Sequence, residues 1–515
     1  MIRTPVCELL GITHPVFLGG MARGNTAPRL VAAVSEAGGL GALGATGLSP
    51  REVKETCAAI REATERPYAL NYLIFRSEEE GFAAGLAERP AVMAFAWARR
   101  EQPLKEYFGR ARGAGCKVMF MAGRVDEARR AVPAGAVFFV RCYNTPSPES
   151  ECAQAVSGRM RAGGPAMIRT PVCELLGITH PVFLGGMARG NTAPRLVAAV
   201  SEAGGLGALG ATGLSPREVK ETCAAIREAT ERPYALNYLI FRSEEEGFAA
   251  GLAERPAVMA FAWARREQPL KEYFGRARGA GCKVMFMAGR VDEARRAAEA
   301  GADVIVAQGS EGGGHVGWMG ALALVPMMVD AVAPVPVVAA GGIADGRGLA
   351  AALCLGAQGA LMGTRFLATE ESPLPQAFKE VIVRSDGHDT MLTEIPDIAS
   401  GQVWPGAMAR AWRNRFIERW AGREWELRQN RAEVFDALQE ARKRGDPGEA
   451  SLLIGQDAGL IRSVVPAAEV VRRVVEEAEE ILSERLPALV RLSRSGERPA
   501  GAVGPGPGER PVAPE

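Results

Sequence analysis

Short apolar runs alternate with amphipathic segments rich in Ala, Arg and Glu through residues 167–385. Several of the amphipathic segments open on Ser, Thr or Asp and close on Gly, which are typical helix caps. This alternation predicts parallel strands joined by crossover helices. Eight units are present, with the strand segments HPVFLGGM from His180, LGALGAT from Leu206, YALNYLIF from Tyr234, AVMAFAWA from Ala257, KVMFMAG from Lys283, DVIVAQG from Asp303, PVVAAGG from Pro336 and GALMGTRF from Gly359.

Eight β/α units in about 190 residues predict an α/β fold of the (β/α)8 TIM-barrel type. A doubly wound parallel sheet is the alternative. That alternative lacks support because no strand is followed by the GxGxxG turn of a dinucleotide-binding sheet. We therefore assign the barrel to residues 167–385 and expect residues 386–495 to form a lid and a helical segment that complete the domain.

The first part of the pattern occurs twice. Residues 1–131 are identical to residues 167–297, at a constant offset of 166. The first copy supplies five of the eight units, and a faint echo of the sixth strand, AGAVFFV, precedes an irregular join within 132–166. Lacking the later units, this copy cannot hold a second active site. Perfect identity indicates a very recent duplication or an error of gene assembly; a genuine interaction module is the alternative.

The composition is that of an ordinary globular protein, with 47% hydrophobic and 23% charged residues and a net charge of +1. It gives no reason to expect nucleic acid or a membrane as partner, so a small molecule is expected, and a homo-oligomer stays open. The absence of a membrane-length apolar run and of a signal peptide predicts a cytoplasmic protein. The cysteine spacing indicates free, mostly buried thiols and no metal site, and the Pro/Gly-rich residues 496–515 are expected to be disordered.

Chemistry in such barrels lies where strands end. The sixth strand ends in AQGSEGGGHVG, which places Gln308, three glycines and His315 at that end. Glycines allow a backbone to approach a flat ligand closely, and a histidine beyond them can reach its reactive atom. A flexible loop with a surface histidine is the alternative interpretation.

The seventh and eighth strands end in AAGGIADGRG and LMGTRF. Their residues Gly341, Gly342, Gly363 and Thr364 offer backbone N–H groups at the position where TIM barrels hold phosphate. Together with the amide of Asn237 at the third strand end and that of Gln308, they predict a flavin site.

This series of motifs resembles the FMN-dependent nitronate monooxygenases, also called 2-nitropropane dioxygenases. AQGSEGGGHVG, PVVAAGGIADGRGLAAALCLGAQGALMGTRFLATEES and LLIGQDAGLI carry the resemblance, which covers residues 168–480. It implies oxidation of an alkyl nitronate by O2 to an aldehyde or ketone plus nitrite. It also implies that His315 takes the proton α to a nitro group or holds the nitronate. The FMN contacts that it implies are Gly186, Met187, Asn237, Gln308, Gly313, Gly341, Gly342, Leu361, Met362, Gly363 and Thr364.

Two other functions stay open. Related barrels that keep FMN and a similar histidine loop reduce enoyl thioesters or quinones with NAD(P)H, and the sequence does not separate these activities cleanly. A phosphate-ligand-binding protein without catalysis is the second alternative. The Trp- and Arg-rich residues 390–420 also look family-like and are expected over or beside the barrel mouth, with their aromatic side chains in the core rather than against a substrate.

Overall fold

The computed structural model describes residues 2–21, 26–99, 101–136, 138–141, 168–187 and 191–492. They divide into two compact units, one made of residues 2–141 with 484–492 and the other of residues 168–483. Most of the expected join within 132–166 and all of the expected disordered tail at 496–515 lie outside the described residues.

Eight parallel strands form a single sheet in the second unit. In chain order, the first to the eighth barrel strands are Val182–Leu184, Gly207–Gly210, Tyr234–Leu239, Val258–Ala262, Lys283–Ala288, Val304–Gln308, Val337–Ala340 and Ala360–Met362. The eighth strand pairs with the first, and a parallel bridge from Phe183 to Leu206 joins the first to the second. The sheet is therefore closed, and the predicted TIM barrel with its eight strand segments is confirmed.

Seven outer helices follow the first seven strands. They are Pro194–Glu202, Pro216–Ala229, Glu245–Ala253, Leu270–Gly279, Val291–Ala300, Ala321–Val332 and Gly346–Cys354, and a 3-10 turn at Ile240–Arg242 precedes the third. Local sequence explains several of these starts. In the second outer helix, for example, Ser215 and Glu218 form a reciprocal capping box that satisfies two N–H groups of the first turn.

The eighth outer position is filled by a helix that comes much later in the chain. The eighth strand leads into the four-residue helix Thr364–Leu367, whereas Ala467–Glu480 packs against both the first and the seventh outer helices. Its buried residues include Val470, Val471, Val474 and Val475, which form one apolar stripe. The helical segment expected within residues 386–495 thus includes the last helix of the barrel.

Side chains fill the barrel interior. Inward-facing residues such as Val304, Val306 and Val338 pack in one buried cluster with Val172 and Leu176 of the helix Pro171–Leu176, which precedes the first strand. The barrel is therefore a packed core, and any ligand site must lie at its mouth.

Residues 368–466, here called the insert, separate the eighth strand from the last helix. The insert contains the helices Gln376–Arg384, Ile395–Ser400, Arg415–Trp420, Glu424–Gln429 and Arg431–Lys443, the strands Thr390–Thr393 and Met408–Trp412, and a 3-10 turn at Gln456–Leu460. Both strands join Gly314–Val316, from the loop after the sixth barrel strand, in a three-stranded antiparallel sheet. The guanidinium of Arg410 strengthens this junction, because its Nε donates to the carbonyl of Ser310 at 2.8 Å.

The first unit repeats the early β/α units as an open sheet. Its helices are Pro5–Leu10, Pro28–Glu36, Pro50–Ala63, Glu79–Ala87, Leu104–Gly113, Val125–Ala131 and Leu486–Leu489, with a 3-10 turn at Ile74–Arg76. A π-helical turn at Ile481–Arg485 begins in the second unit and leads into the helix Leu486–Leu489. The strands Gly41–Gly44, Tyr68–Leu73, Val92–Ala96, Lys117–Ala122 and Phe138–Arg141 are parallel and adjacent in chain order. A separate antiparallel pair joins Ile2–Arg3 to Arg491–Leu492. The strand Phe138–Arg141 extends the sheet by one strand beyond the identical repeat.

None of the described helices combines the length and the apolar character needed to cross a membrane. The cysteines within the described residues are free thiols, all buried except Cys354.

Candidate functional site

A cavity of about 290 Å³ lies at the carboxyl ends of the barrel strands in the second unit. All the residues that the sequence nominated line this cavity. They are Gly186, Met187, Asn237, Gln308, Gly313, His315, Gly341, Gly342, Leu361, Met362, Gly363 and Thr364. The barrel therefore brings the predicted residues together, while the role of each stays a prediction.

Two amides stand on the third and sixth strands. Asn237 donates from Nδ2 to the carbonyl of Gly186 at 3.0 Å, and a Cβ on Gly186 would lie only 2.4 Å from the Cβ of Asn237. Glycine is thus required for this close approach. The Oε1 of Gln308 is buried and accepts no hydrogen bond from any described residue. Such an unsatisfied acceptor is costly and indicates a missing donor, as a ligand would supply.

Glycines form much of the cavity wall near the sixth, seventh and eighth strand ends. A Cβ at Gly313 would lie 2.6 Å from the backbone N of Gly455. Gly341 and Gly342 have φ angles of +91° and +74°, which side-chain-bearing residues rarely adopt. Backbone rather than side chains therefore faces the cavity at these positions.

His315 is held on two sides by the insert. Its Nε2 lies 2.9 and 3.0 Å from the two carboxylate oxygens of Asp397, which stands on the helix Ile395–Ser400. The indole of Trp404 stacks on the imidazole with ring centroids 3.3 Å apart and planes 10° from parallel. The alternative of a surface histidine on a flexible loop is therefore wrong, since His315 belongs to a paired strand and its ring is fixed.

Trp404 also packs against two further aromatic side chains. Its ring centroid lies 4.8 Å from that of Phe241 and 6.1 Å from that of Trp263, which it meets edge-on. The expectation that the aromatic side chains of residues 390–420 belong to the core is correct for the buried Trp420 but wrong for Trp404, which lines the cavity. The Nε1 of Trp404 is buried and has no acceptor among the described residues.

A second carboxyl group lies near the end of the eighth strand. Asp457 is fully buried and hydrogen-bonded to the Thr364 side chain, and burial raises its pKa to about 7, a rise that Thr364 and the nearby Arg365 partly oppose. The Thr364 hydroxyl also accepts from the backbone N of Gly455 at 3.0 Å. These contacts fix the backbone where phosphate was predicted.

Sequence reasoning missed Asp397, Trp404, Asp457, Trp263 and Arg442, all of which line the cavity. Two of these residues could have been found from the sequence, because Trp263 directly follows the fourth strand and Asp457 lies in the quoted LLIGQDAGLI motif. The other three come from the insert, where no periodic pattern links a residue to the barrel mouth.

A closed barrel whose mouth combines glycine-lined backbone, two strand-end amides and a carboxylate-held histidine fits an oxidoreductase that binds a flavin. The family model for nitronate monooxygenase matches residues 3–100, 169–254 and 248–477, which is more than half of the chain. The chain therefore belongs to the nitronate monooxygenase family. Its members are flavin-dependent oxidoreductases, so the chain is an enzyme of that class.

Several relatives show how the similarity is distributed. A probable nitronate monooxygenase of Staphylococcus saprophyticus is 33% identical, with 61% of this chain and 99% of the relative covered. The (3aS,4S,5R,7aS)-5-hydroxy-7a-methyl-1-oxo-octahydro-1H-indene-4-carboxyl-CoA dehydrogenase of Mycobacterium tuberculosis is 40% identical over 44% of this chain. In that comparison the chain spans only 63% of the length of the relative.

Two solved structures are similar in fold and sequence. FabK from Thermotoga maritima is 34% identical with a TM-score of 0.56, and covers 62% of this chain and 99% of its own. Nitroalkane oxidase from Streptomyces ansochromogenes is 29% identical with a TM-score of 0.53, and covers 61% of this chain and 99% of its own. FabK and nitroalkane oxidase are thus similar to this chain to nearly the same degree. Because their names differ, the substrate has to be inferred from the site itself.

Proposed function

We propose that the second unit binds FMN at the barrel mouth and oxidises alkyl nitronates with O2 to a carbonyl compound and nitrite. One observation carries this proposal: the ring of His315 is fixed inside the cavity between the carboxylate of Asp397 and the face of Trp404. A histidine held in this way can remove the α-proton of a neutral nitroalkane and so generate the nitronate.

The residues present fit FMN. The unsatisfied Oε1 of Gln308 requires a donor, which the edge of a flavin ring offers, and the wall at Gly313 has no space for a side chain. We assign the ring to Gly186, Met187, Asn237, Gln308 and Gly313, and the phosphate to Gly341, Gly342 and the run Leu361, Met362, Gly363 and Thr364. FMN supplies the redox chemistry when bound, while the protein positions the substrate and handles the proton.

The proposed proton transfer uses the His315 tautomer that carries its hydrogen on Nε2. When the neutral ring donates its Nε2 hydrogen to Asp397, Nδ1 is the ring atom that accepts a proton. The proton taken from the carbon next to the nitro group then gives an imidazolium. The negative charge of Asp397 and the electron-rich face of Trp404 both stabilise that cation.

The alternative is reduction of an enoyl thioester by NAD(P)H on the same flavin. The similarity to FabK, with 34% identity, supports this second candidate. A non-catalytic phosphate-binding protein is disfavoured, because the family consists of enzymes.

The test starts from the visible spectrum of the purified full chain, which should be yellow and carry one FMN. Nitrite release from a nitroalkane and NAD(P)H consumption with an enoyl thioester are then measured side by side. A colourless protein that also fails to take up added FMN would contradict the proposal. Reduction of the thioester without nitrite release would select the alternative.

The variant His315→Ala tests the proton transfer. FMN should stay bound, because the assigned cofactor contacts lie elsewhere, while kcat/KM for a neutral nitroalkane should fall by roughly 10² or more, the scale of a lost general base. Preformed nitronate, which needs no deprotonation, should lose much less activity. Equal losses on both substrates would argue against a base.

A further inference from the structure

Arg442 is a cationic group in the cavity that the proposed reaction does not use. It lies near the end of the helix Arg431–Lys443 and lines the cavity with Leu438 and Asn191. Its Nη2 donates to Oδ1 of Asn191 at 2.7 Å, across 251 residues of sequence. Within the described residues, no carboxylate lies in salt-bridge distance of this guanidinium.

This arrangement leaves most of the binding capacity of Arg442 unused. A guanidinium carries five N–H donors in a planar fork that matches a carboxylate or a phosphate. Only the bond to a neutral amide is made to described residues. Burial lowers the pKa of Arg442.

Arg365 shows the contrasting arrangement in the same unit. This arginine is buried, whereas Arg442 is half-buried. The Nη2 of Arg365 donates to the carbonyls of Ala368 at 2.7 Å and Ser463 at 2.9 Å. Arg365 thus stabilises backbone, although its Nε is buried without a hydrogen-bond partner among the described residues. The Arg442 guanidinium bonds to no backbone carbonyl of the described residues, and its side chain lines the cavity. A half-buried cation in this position is best compensated by an anionic ligand.

We propose that Arg442, oriented by Asn191, forms an anion-binding subsite that recognises a carboxylate or phosphate group on the substrate, away from the reacting carbon. This inference rests on the proposed function in that it places the substrate in this cavity. The two cavity carboxylates do not compete for Arg442, since Asp397 is bonded to His315 and Asp457 to Thr364. The cofactor phosphate is assigned to the seventh and eighth strand ends.

The experiment compares the full chain with Arg442→Gln, which removes the charge, and Arg442→Lys, which keeps the charge but loses the fork. The substrates are a nitroalkanoate, a nitroalkyl phosphate and the uncharged nitroalkane of the same chain length. Arg442→Gln should lower kcat/KM for the preferred anionic substrate by about 10- to 100-fold, the effect of a charge-assisted hydrogen bond. The uncharged nitroalkane and FMN content should change by less than about twofold, and Arg442→Lys should lie in between.

A binding measurement separates this inference from the proposed function. Unreactive alkanoates and alkyl phosphates are titrated into the full chain while its tryptophan fluorescence is followed, which requires no turnover. Whichever anion binds identifies the ligand chemistry, and its affinity should fall in Arg442→Gln even if no nitro compound is oxidised. Arg242→Gln alters another arginine that lines the cavity but is exposed to solvent, so it should reduce that affinity much less than Arg442→Gln does.

Three results would overturn the inference. One is the absence of saturable binding of either anion to the unsubstituted protein. Another is an equal loss in Arg242→Gln and Arg442→Gln, which would indicate only a general effect of positive charge. The third is a selective loss of FMN affinity in Arg442→Gln, which would assign the guanidinium to the cofactor phosphate. If Arg442→Gln does not fold, Arg442→Lys decides by the same criteria.

Discussion

Residues 1–131 and 167–297 have the same sequence, yet equivalent side chains differ in their surroundings. Leu30 is 42% exposed where Leu196 is 0%, Val16 is 60% exposed where Val182 is 0%, and Trp97 is 63% exposed where Trp263 is 8%. Local elements and contacts, by contrast, recur: the helix Pro50–Ala63 matches Pro216–Ala229, and Nδ2 of Asn71 donates to the carbonyl of Gly20 at 3.0 Å just as that of Asn237 donates to Gly186. Local sequence thus builds the β/α units, and other residues decide what those units bury.

The residues that make the difference lie after position 297. The helix Ala467–Glu480 covers the helix that carries Leu196, the eighth strand pairs with the strand that carries Val182, and Trp404 of the insert packs on Trp263. A chain contains only one set of these later elements. One copy of the repeat therefore belongs to a closed barrel with a cavity, and the other is an open sheet.

The largest expected difference between the copies is in stability. Leu196→Ala should cost about 2–5 kcal/mol because it opens a cavity in a packed core, whereas Leu30→Ala should cost within about 0.5 kcal/mol because the side chain is exposed. Urea unfolding is followed by far-UV circular dichroism, because both units contain helices whereas only Trp97 of the seven tryptophans lies in the first unit. Equal costs would mean that both copies contribute alike to the barrel.

The second unit should show a pH dependence that the first lacks, because Asp457 has no counterpart in the first copy. Burial raises its folded-state pKa to about 7, against about 3.9 in an unfolded chain. Between these values the folded protein holds a proton that the unfolded chain has released. This stabilising contribution is present at low pH and is lost as pH rises to about 7, by at most ~1.4 kcal/mol per pH unit.

Urea unfolding of the apoprotein between about pH 5 and pH 7 measures how the free energy of unfolding changes with pH. Asp457→Asn should flatten this dependence, and an unchanged dependence would exclude Asp457 as its source.

Cofactor affinity should distinguish the matched asparagines. Asn237→Ala removes an amide from the proposed flavin site and should weaken FMN binding about tenfold, the usual scale of one hydrogen bond. Asn71→Ala makes the same change in the first copy and should leave the dissociation constant unaltered. Fluorescence titration of apoprotein with FMN gives both constants. A tenfold loss in Asn71→Ala would place the cofactor in the first copy.

The smallest expected effect on catalysis follows deletion of residues 1–166. The second unit contains every residue of the proposed site, so specific activity and FMN content should not change. Solubility should rise, because an open sheet has unpaired edges that favour association between chains. Activity assays and size-exclusion chromatography check both outcomes. Loss of FMN binding on deletion would show that the first copy completes the barrel.

The amino-acid sequence by itself determined the units of this protein and much of its candidate site. Alternating strand and helix patterns predicted the eight barrel strands, and the strand-end rule nominated Gln308, Gly341 and Gly363 because parallel strands place their carboxyl ends at one mouth. Trp263 could have been found by the same rule. Even its φ of +54° recurs at Trp97, and so follows from local sequence.

Only the tertiary structure decided which copy is closed and which insert residues reach the cavity. Asp397, Trp404 and Arg442 come from helices and loops whose positions depend on packing between segments far apart in the chain, and neither periodicity nor spacing encodes such distances. Identical sequences cannot differ in local propensity. Whether Leu30 or Leu196 is buried therefore depends on the later helix Ala467–Glu480, because burial is a property of the neighbours that a side chain meets and not of the residue itself.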